Sequence, residues 1–152
     1  MNMLVVFMAD KLAYLSVAIF IIWLWRLAQE KRAKILSFAL YLLPLVYMLG
    51  LTARTLYYNP RPFVTGGFRP LIDHVADNGF PSDHVLLLAS LASLVFCFDK
   101  KFSIPLWIIA LAVGFSRLYA GIHHFVDIMG SLGIALIATG LVYFVFQRQK
   151  KL

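Results

Sequence analysis

The stretch IMGSLGIALIATGLVYFVF, residues 128–146, contains 19 residues and no charged side chain. A helix needs about 20 predominantly apolar residues to cross a membrane, so this stretch predicts a transmembrane helix. Ser131, Ala135 and Thr139 recur at intervals of four, which places small side chains on one face and suits close helix packing. The whole chain is 62% hydrophobic, whereas soluble domains are about 45–50% apolar. Residence in a membrane is therefore expected.

Four further apolar stretches precede this one, at residues 12–25, 35–53, 85–98 and 104–115. The last two become long enough to span only if their helices extend to Ser82 and through Arg117, respectively. Pro105 fits the first turn of the fourth helix. Runs of this length in lipid are helices, because the backbone must satisfy its own hydrogen bonds. We expect one domain over residues 1–152, an all-α polytopic membrane helix bundle of about five transmembrane helices.

Basic residues are divided unequally between the two sides of such a protein. One side has nine: Arg26, Lys31, Arg32, Lys34, Lys100, Lys101, Arg148, Lys150 and Lys151. The other side has five: Lys11, Arg54, Arg61, Arg69 and Arg117. Because Lys and Arg are enriched on the cytoplasmic side, the N-terminus is expected outside and the C-terminus inside. The net charge of +7 then reflects topology, so no nucleic acid partner is expected. No cleavable signal peptide is expected either.

Ionisable residues collect on the outer side of this topology, and the segment SRLYAGIHHFVD, residues 116–127, is the densest example. Such groups near membrane depth are costly, and by default they mark a functional site. Arg54, Arg61 and Arg117 provide fork-shaped donors that fit phosphate oxygens. Helices that begin near Ser82 and His123 would point their N-termini at the same anion. The sequence therefore predicts a phosphate site.

Two neighbouring histidines are candidate nucleophiles. Asp127 follows His123 by four residues and His124 by three, so helical spacing alone does not choose between them. A carboxylate that holds one imidazole nitrogen leaves the other free to attack, and His84 could protonate a leaving oxygen. A metal site is the alternative, with ligands from Asp73, His74, Asp77, Asp83 and His84. We favour a site without metal, because three arginines already supply the positive charge.

Three blocks carry a family resemblance: RTLYYNPRP (54–62), PSDH (81–84) and SRLYAGIHHFVD (116–127). They resemble the signature of the type 2 phosphatidic acid phosphatase superfamily, Lys-x6-Arg-Pro, Pro-Ser-Gly-His and Ser-Arg-x5-His-x3-Asp. The chain departs from it at two positions, with Arg54 in place of the usual lysine and Asp83 in place of the usual glycine. The segment ADNGFPSDH (76–84) is similar to bacterial undecaprenyl pyrophosphate phosphatases of the bacitracin-resistance type, which commonly carry this aspartate.

The resemblance implies a lipid-phosphate hydrolase of the bacterial cytoplasmic membrane, with an outward-facing site and no cofactor or metal. His123 would form a phosphohistidine, Asp127 would orient it and His84 would protonate the leaving group, while His124 would be an interfacial histidine. The implied phosphate ligands are Arg54, Arg61, Ser82, Arg117 and the backbone N–H of Asp83. The implied substrate is undecaprenyl diphosphate, whose hydrolysis recycles the lipid carrier of cell-wall synthesis.

Two alternatives remain open at this point. One is a phosphatase for another lipid, such as phosphatidylglycerophosphate, phosphatidate or lipid A. The other is a lipid-phosphate binding or transport protein that performs no chemistry. An intact set of His84, His123 and Asp127 argues against the second alternative, because binding needs only the arginines. A haloperoxidase is not expected, because the relatives with that activity are soluble.

Overall fold

The structure, a computed structural model, describes residues 2–149 as a bundle of seven helices. They are α1 (Asn2–Asp10), α2 (Leu12–Trp25), α3 (Gln29–Leu56), α4 (Pro62–Gly66), α5 (Asp83–Phe96), α6 (Lys100–Tyr119) and α7 (Phe125–Arg148). Within the described residues the only β-type pairing is an isolated bridge between Pro60 and Asn78. The predicted all-α class is confirmed, and the five apolar stretches fall in α2, α3, α5, α6 and α7.

Three helices, α3, α6 and α7, are long and apolar enough to cross a membrane. A fourth span exists if α1 and α2, which meet at a bend of 45°, are taken as one crossing. The structure thus has three to four candidate spans, and the predicted number of five is not confirmed. The difference arises at α5, which has only 14 residues, ten of them buried. This helix packs against α3, α6 and α7, as expected for a helix that is apolar all round.

The starts of α6 and α7 differ from the sequence-based expectation. Asp99 Oδ1 accepts a hydrogen bond of 3.0 Å from the Phe102 N–H and so caps α6, as an N-cap aspartate does. Because the helix begins at Lys100, Pro105 lies inside it, and its predicted place in the first turn was wrong. Gly121 has a φ of 74°, which only glycine adopts readily, and it lies in the break between α6 and α7. The following helix begins at Phe125, two residues after His123.

Helix direction brings the predicted site residues to one end of the bundle. α3 and α6 end there, and α5 and α7 begin there. Further along, Phe38 packs edge-on against Phe98 and Phe146, with ring centroids 5.6 and 5.1 Å apart. The small face of α7 (Ser131, Ala135, Thr139) is buried, and α7 packs against α3 and α5, so its predicted packing role is confirmed.

Candidate active site

His123 lies in the short connection between α6 and α7, and both of its ring nitrogens have partners. Nδ1 is 3.3 Å from Asp127 Oδ2, and Nε2 is 3.3 Å from Arg61 Nη1. A guanidinium only donates and a carboxylate only accepts. These contacts therefore assign the proton to Nδ1 and leave a lone pair on Nε2. The side chain is also nearly inaccessible to solvent, since only 4% of His123 is exposed.

The surroundings of His123 favour its neutral form. Burial lowers the pKa of His123 below its ordinary value, and the positive charges of Arg117 and Arg61 lower it further. The hydrogen bond to Asp127 acts in the opposite direction and does not reverse the shift. A neutral imidazole with its lone pair on Nε2 is the form that can act as a nucleophile. The lowered pKa of His123 and its hydrogen bonds thus both indicate a neutral ring with the proton on Nδ1.

The adjacent His124 has a different role in the structure. Its backbone N–H donates to Asp127 Oδ2 at 2.8 Å, which fixes the first turn of α7. Its ring Nε2 lies 3.2 Å from the carbonyl oxygen of Pro60. Geometry therefore separates two histidines that spacing could not: only the His123 ring contacts both Asp127 and an arginine.

Asp127 is wholly buried and accepts hydrogen bonds from three donors. Besides His123 Nδ1 and the His124 N–H, Asn59 Nδ2 donates to Oδ1 at 2.7 Å. A Cβ at Gly79 would lie 2.9 Å from Asp127 Oδ2, so the backbone passes too close for any side chain there. Asn59 and Gly79 were not predicted as site residues, and Asn59 lies 68 residues from its partner.

Asn78 is a third residue that the sequence did not reveal. Its Oδ1 accepts from the backbone N–H groups of Asn59 and Phe80, at 2.9 and 3.0 Å. Its Nδ2 donates to the carbonyl oxygens of Arg54 and Tyr57 at 3.0 Å. Three of these four bonds join the loop before α5 to the end of α3 and the residues just after it, and the bond from Phe80 lies within the loop. The Asn-Gly pair at 78–79 was a signal for a turn, but it carries no information on these partners.

The predicted phosphate ligands supply hydrogen-bond donors around His123. Buried Arg61 donates from Nε to Asp77 at 2.6 Å and from Nη1 to the Ile122 carbonyl at 2.8 Å. Buried Arg117 donates from Nη1 to the carbonyl of Ala9, at the end of α1, at 2.9 Å. These bonds fix both guanidinium groups beside His123.

Three buried donors in this region have no protein partner among the described residues. They are Arg54 Nε, Ser82 Oγ and Arg117 Nε. Ser82 occupies the N-cap position of α5, but its hydroxyl does not cap the helix. Buried polar groups are normally hydrogen-bonded, and donors at helix ends suit an anion. The arrangement therefore fits the predicted binding of phosphate oxygens, which the structure itself does not contain.

Three acidic residues on this side pair with arginines. Asp77 contacts Arg61, Asp83 contacts Arg54 at 2.6 Å, and Asp73 lies 3.5 Å from Arg69. Burial would raise the pKa of Asp77, but the hydrogen bond and charge of Arg61 outweigh burial and lower it. Across residues 2–149, no group of three or more His, Cys, Asp or Glu is placed to hold a metal ion. The alternative ligand set of Asp73, His74, Asp77, Asp83 and His84 does not form such a group.

His74 and His84 flank the site from different segments. The His74 ring lies in the loop before α5, with its centroid 6.4 Å from that of His123 and nearly perpendicular to it. Burial lowers the pKa of His74, and Arg61 lowers it further. His84 lies in the first turn of α5 and lines, with Asp83, a cavity toward α2. His84 was predicted as a site residue, whereas His74 was predicted only as a metal ligand.

Comparison with known proteins identifies the family. Residues 32–151 match the model of the PAP2 superfamily. The chain belongs to the PAP2 superfamily. The family suggested by the three sequence blocks is thereby confirmed.

Two relatives share the name BcrC. A Bacillus licheniformis protein named bacitracin transport permease protein BcrC is 33% identical over 154 aligned positions, which cover all of this chain and 73% of that protein. A Bacillus subtilis protein named undecaprenyl-diphosphatase BcrC is 41% identical over 90 positions, or 59% of this chain and 46% of that protein.

A solved structure shares the fold of this PAP2 chain. The crystal structure of Aquifex aeolicus LpxE superimposes with a TM-score of 0.73 at 23% sequence identity. The match covers 92% of this chain and 85% of LpxE. The likeness supports the helical arrangement described here.

Proposed function

We propose that this PAP2 protein hydrolyses undecaprenyl diphosphate to undecaprenyl phosphate and phosphate. The observation that carries the proposal is the state of His123: buried, neutral, with Nδ1 held by Asp127 and Nε2 facing Arg61. The substrate class is suggested by the identity of 41% over 90 positions to a protein named undecaprenyl-diphosphatase. Hydrolysis of this lipid recycles the carrier of cell-wall synthesis.

In the first step His123 Nε2 attacks the terminal phosphorus. The bond from phosphorus to the bridging oxygen breaks, its electron pair leaves with that oxygen, and His84 donates a proton to it. Asp127 stabilises the positive charge that develops on the imidazole. Arg54, Arg61 and Arg117, with donors from Ser82 and the Asp83 backbone, stabilise the charge on the equatorial oxygens.

In the second step water attacks the phosphohistidine. His84, now neutral, accepts a proton from the water as the new oxygen–phosphorus bond forms. The phosphorus–nitrogen bond breaks, its electron pair returns to His123 Nε2, and inorganic phosphate leaves. The arginines stabilise the negative charge of the phosphate in both steps, and this scheme requires no metal ligands.

A lipid substrate is supported by a cavity of about 350 Å³ that adjoins the site. It lies between α2 and α5, and its lining residues are Ala13, Tyr14, Val17, Asp83, His84 and Leu87. The cavity is largely apolar, while His84 marks its polar end. A headgroup beside His84 would therefore have its first apolar chain units in this cavity, which suits a substrate that remains in the membrane.

The proposal includes five crossings and an outward-facing site. Basic residues lie at the starts of α3 and α6 and at the end of α7. All three positions are on the side of the bundle opposite His123. That distribution favours a cytoplasmic location for the opposite end. In a Cys97→Ser background, Val75→Cys should react with an impermeant maleimide in intact cells, and Glu30→Cys should react only after permeabilisation. The reverse pattern would contradict the orientation.

A second candidate function is transport or binding without chemistry, and the name of the Bacillus licheniformis relative favours it. The deciding experiment measures phosphate release by the purified protein in detergent, with and without a chelator. The panel contains undecaprenyl diphosphate, phosphatidylglycerophosphate, phosphatidate and lipid A, with His123→Ala as the inactive control. We expect the fastest release from the undecaprenyl lipid, unaffected by the chelator. Release from none of the lipids would favour the binding protein, and a faster rate on another lipid would reassign the substrate.

A further inference from the structure

The two positions at which this chain departs from the PAP2 signature contact each other. Arg54 Nη2 donates to Asp83 Oδ1 at 2.6 Å, although 29 residues separate them in the sequence. The bond joins the last turn of α3 to the first turn of α5. The side chains are 39% and 70% exposed, so the pair lies at the rim of the site, whereas Arg61 and Arg117 lie buried within it.

We propose that Arg54 and Asp83 act as one unit, in which Asp83 is a positioning residue for the phosphate ligand Arg54. The proposal rests on the proposed phosphatase function and deepens it. Asp83 holds the guanidinium by Nη2, and Arg54 Nε, which is buried and has no protein partner among the described residues, remains available for a phosphate oxygen. One planar guanidinium thus serves a carboxylate and a phosphate together.

The geometry explains why an arginine accompanies the aspartate. Guanidinium donors are spread over a rigid fork, so one edge can bind a carboxylate while another atom binds phosphate. A lysine ammonium is a compact charge at the end of a flexible stem. Beside Asp83 a lysine would be drawn to the carboxylate, whereas beside the family's usual glycine it would be free to contact phosphate. The residue at position 83 therefore determines whether arginine or lysine at position 54 can bind phosphate.

Asp83 also moderates the positive charge of the site. Arg54 is paired with Asp83 and Arg61 with Asp77, while Arg117 bonds to a backbone carbonyl. Each carboxylate reduces the attraction that its arginine exerts on phosphate, including the phosphate that must leave after turnover. We therefore expect Asp83 to weaken the binding of inorganic phosphate as well as to orient Arg54.

A double-mutant cycle tests the coupling directly. The parent, Arg54→Lys, Asp83→Gly and the double variant are compared by kcat and KM on undecaprenyl diphosphate. Inhibition by inorganic phosphate is measured for each. We expect Arg54→Lys to lose about tenfold or more in kcat/KM, a loss of about 1.4 kcal/mol. Because glycine at 83 frees the lysine, the double variant should retain at least about fivefold more activity than the product of the single losses predicts.

Asp83→Asn separates positioning from charge, because the amide oxygen still accepts from Arg54. It should lower kcat less than Asp83→Gly does, because the hydrogen bond to Arg54 is kept, and it should bind inorganic phosphate up to about fivefold more tightly, as loss of a rim ion pair allows. Asp73→Asn is the matched control, since Asp73 and Arg69 form an ion pair whose side chains are 87% and 85% exposed. It should change neither measurement.

The outcomes distinguish this inference from the proposed function. Binding of inorganic phosphate, measured by calorimetry on the same proteins, needs no turnover. If the parent hydrolyses no lipid phosphate, the proposed function fails, while tighter phosphate binding by Asp83→Asn would still support the coupled pair. If the single losses multiply in the double variant, or if Asp83→Asn binds phosphate no more tightly than the parent, the coupled pair is wrong even in an active enzyme.

Discussion

Replacing Asn59 by alanine tests the hydrogen-bond arrangement behind His123. The bond from Asn59 Nδ2 to Asp127 Oδ1 is 2.7 Å long and ends on a wholly buried carboxylate. A hydrogen bond to a charged group contributes about 1.5–3 kcal/mol. If Asn59→Ala removed about 2 kcal/mol of transition-state stabilisation and left the ground state unchanged, kcat would fall about thirtyfold. Because part of the loss will appear as reduced stability, we expect a fall of about threefold to thirtyfold.

The assay is phosphate release from lipid diphosphate at saturating concentration, with thermal unfolding recorded on the same preparation. Gln147→Ala is the matched control, because Gln147 is also an amide that donates a side-chain hydrogen bond, from Nε2 to the Tyr143 hydroxyl at 2.7 Å, near the opposite end of α7. It should leave kcat unchanged. Asn59→Asp should lose more activity than Asn59→Ala, because a second carboxylate would face Asp127. Asn59→Ala with kcat within about twofold of the parent would refute the proposed support of Asp127 by Asn59.

Three further predictions concern the covalent step, pH and metal dependence. His123→Ala should abolish turnover and the acid-labile, base-stable phosphoprotein trapped by rapid quenching, whereas His124→Ala should retain both; an adduct that persists in His123→Ala would reassign the nucleophile. Because burial lowers the pKa of His123, the neutral nucleophile should persist below the ordinary histidine value of about 6.5. The acidic limb of kcat/KM should therefore lie below that pH, and a limb above it would contradict the neutral assignment. Activity should survive a chelator, and strict restoration by Mg²⁺ would revive the acidic residues as metal ligands.

The helical class and the convergence of the candidate phosphate ligands could be predicted from sequence because both depend on local information. Apolar length indicates membrane helices without knowledge of their partners. Arg61, Ser82 and Arg117 lie at helix ends, so their convergence follows once the helices alternate in direction. The number of spans was harder to predict, because α5 has only 14 residues, ten of them buried, so length and composition alone do not identify it as a crossing.

The exact residue at which a helix begins explains two further differences between the expectations from sequence and the structure. Asp99 caps α6 five residues before the apolar run begins at Ile104. Pro105 therefore lies inside the helix and not in its first turn. His123 precedes α7, so its contact with Asp127 is made from the connection before the helix and not from a shared helical face. Helical spacing left both His123 and His124 open as partners of Asp127, and the position of His123 before the helix brings its ring to the carboxylate. The His124 ring turns to Pro60, and this contact depends on a segment 64 residues away.

Asn59, Asn78 and Gly79 could not be predicted as site residues because their roles consist of long-range contacts. Asparagine and glycine in a polar connection indicate a turn, and a turn is compatible with many arrangements. Here Asn78 binds the backbone on both sides of the connection, and this places Asn59 against a carboxylate at the start of α7. The orientation of the His123 ring is therefore set by the loop from 57 to 80 as well as by the three blocks that identify the family. Substitutions at Asn78 and Gly79 should change the activity of His123 without altering any residue of those blocks.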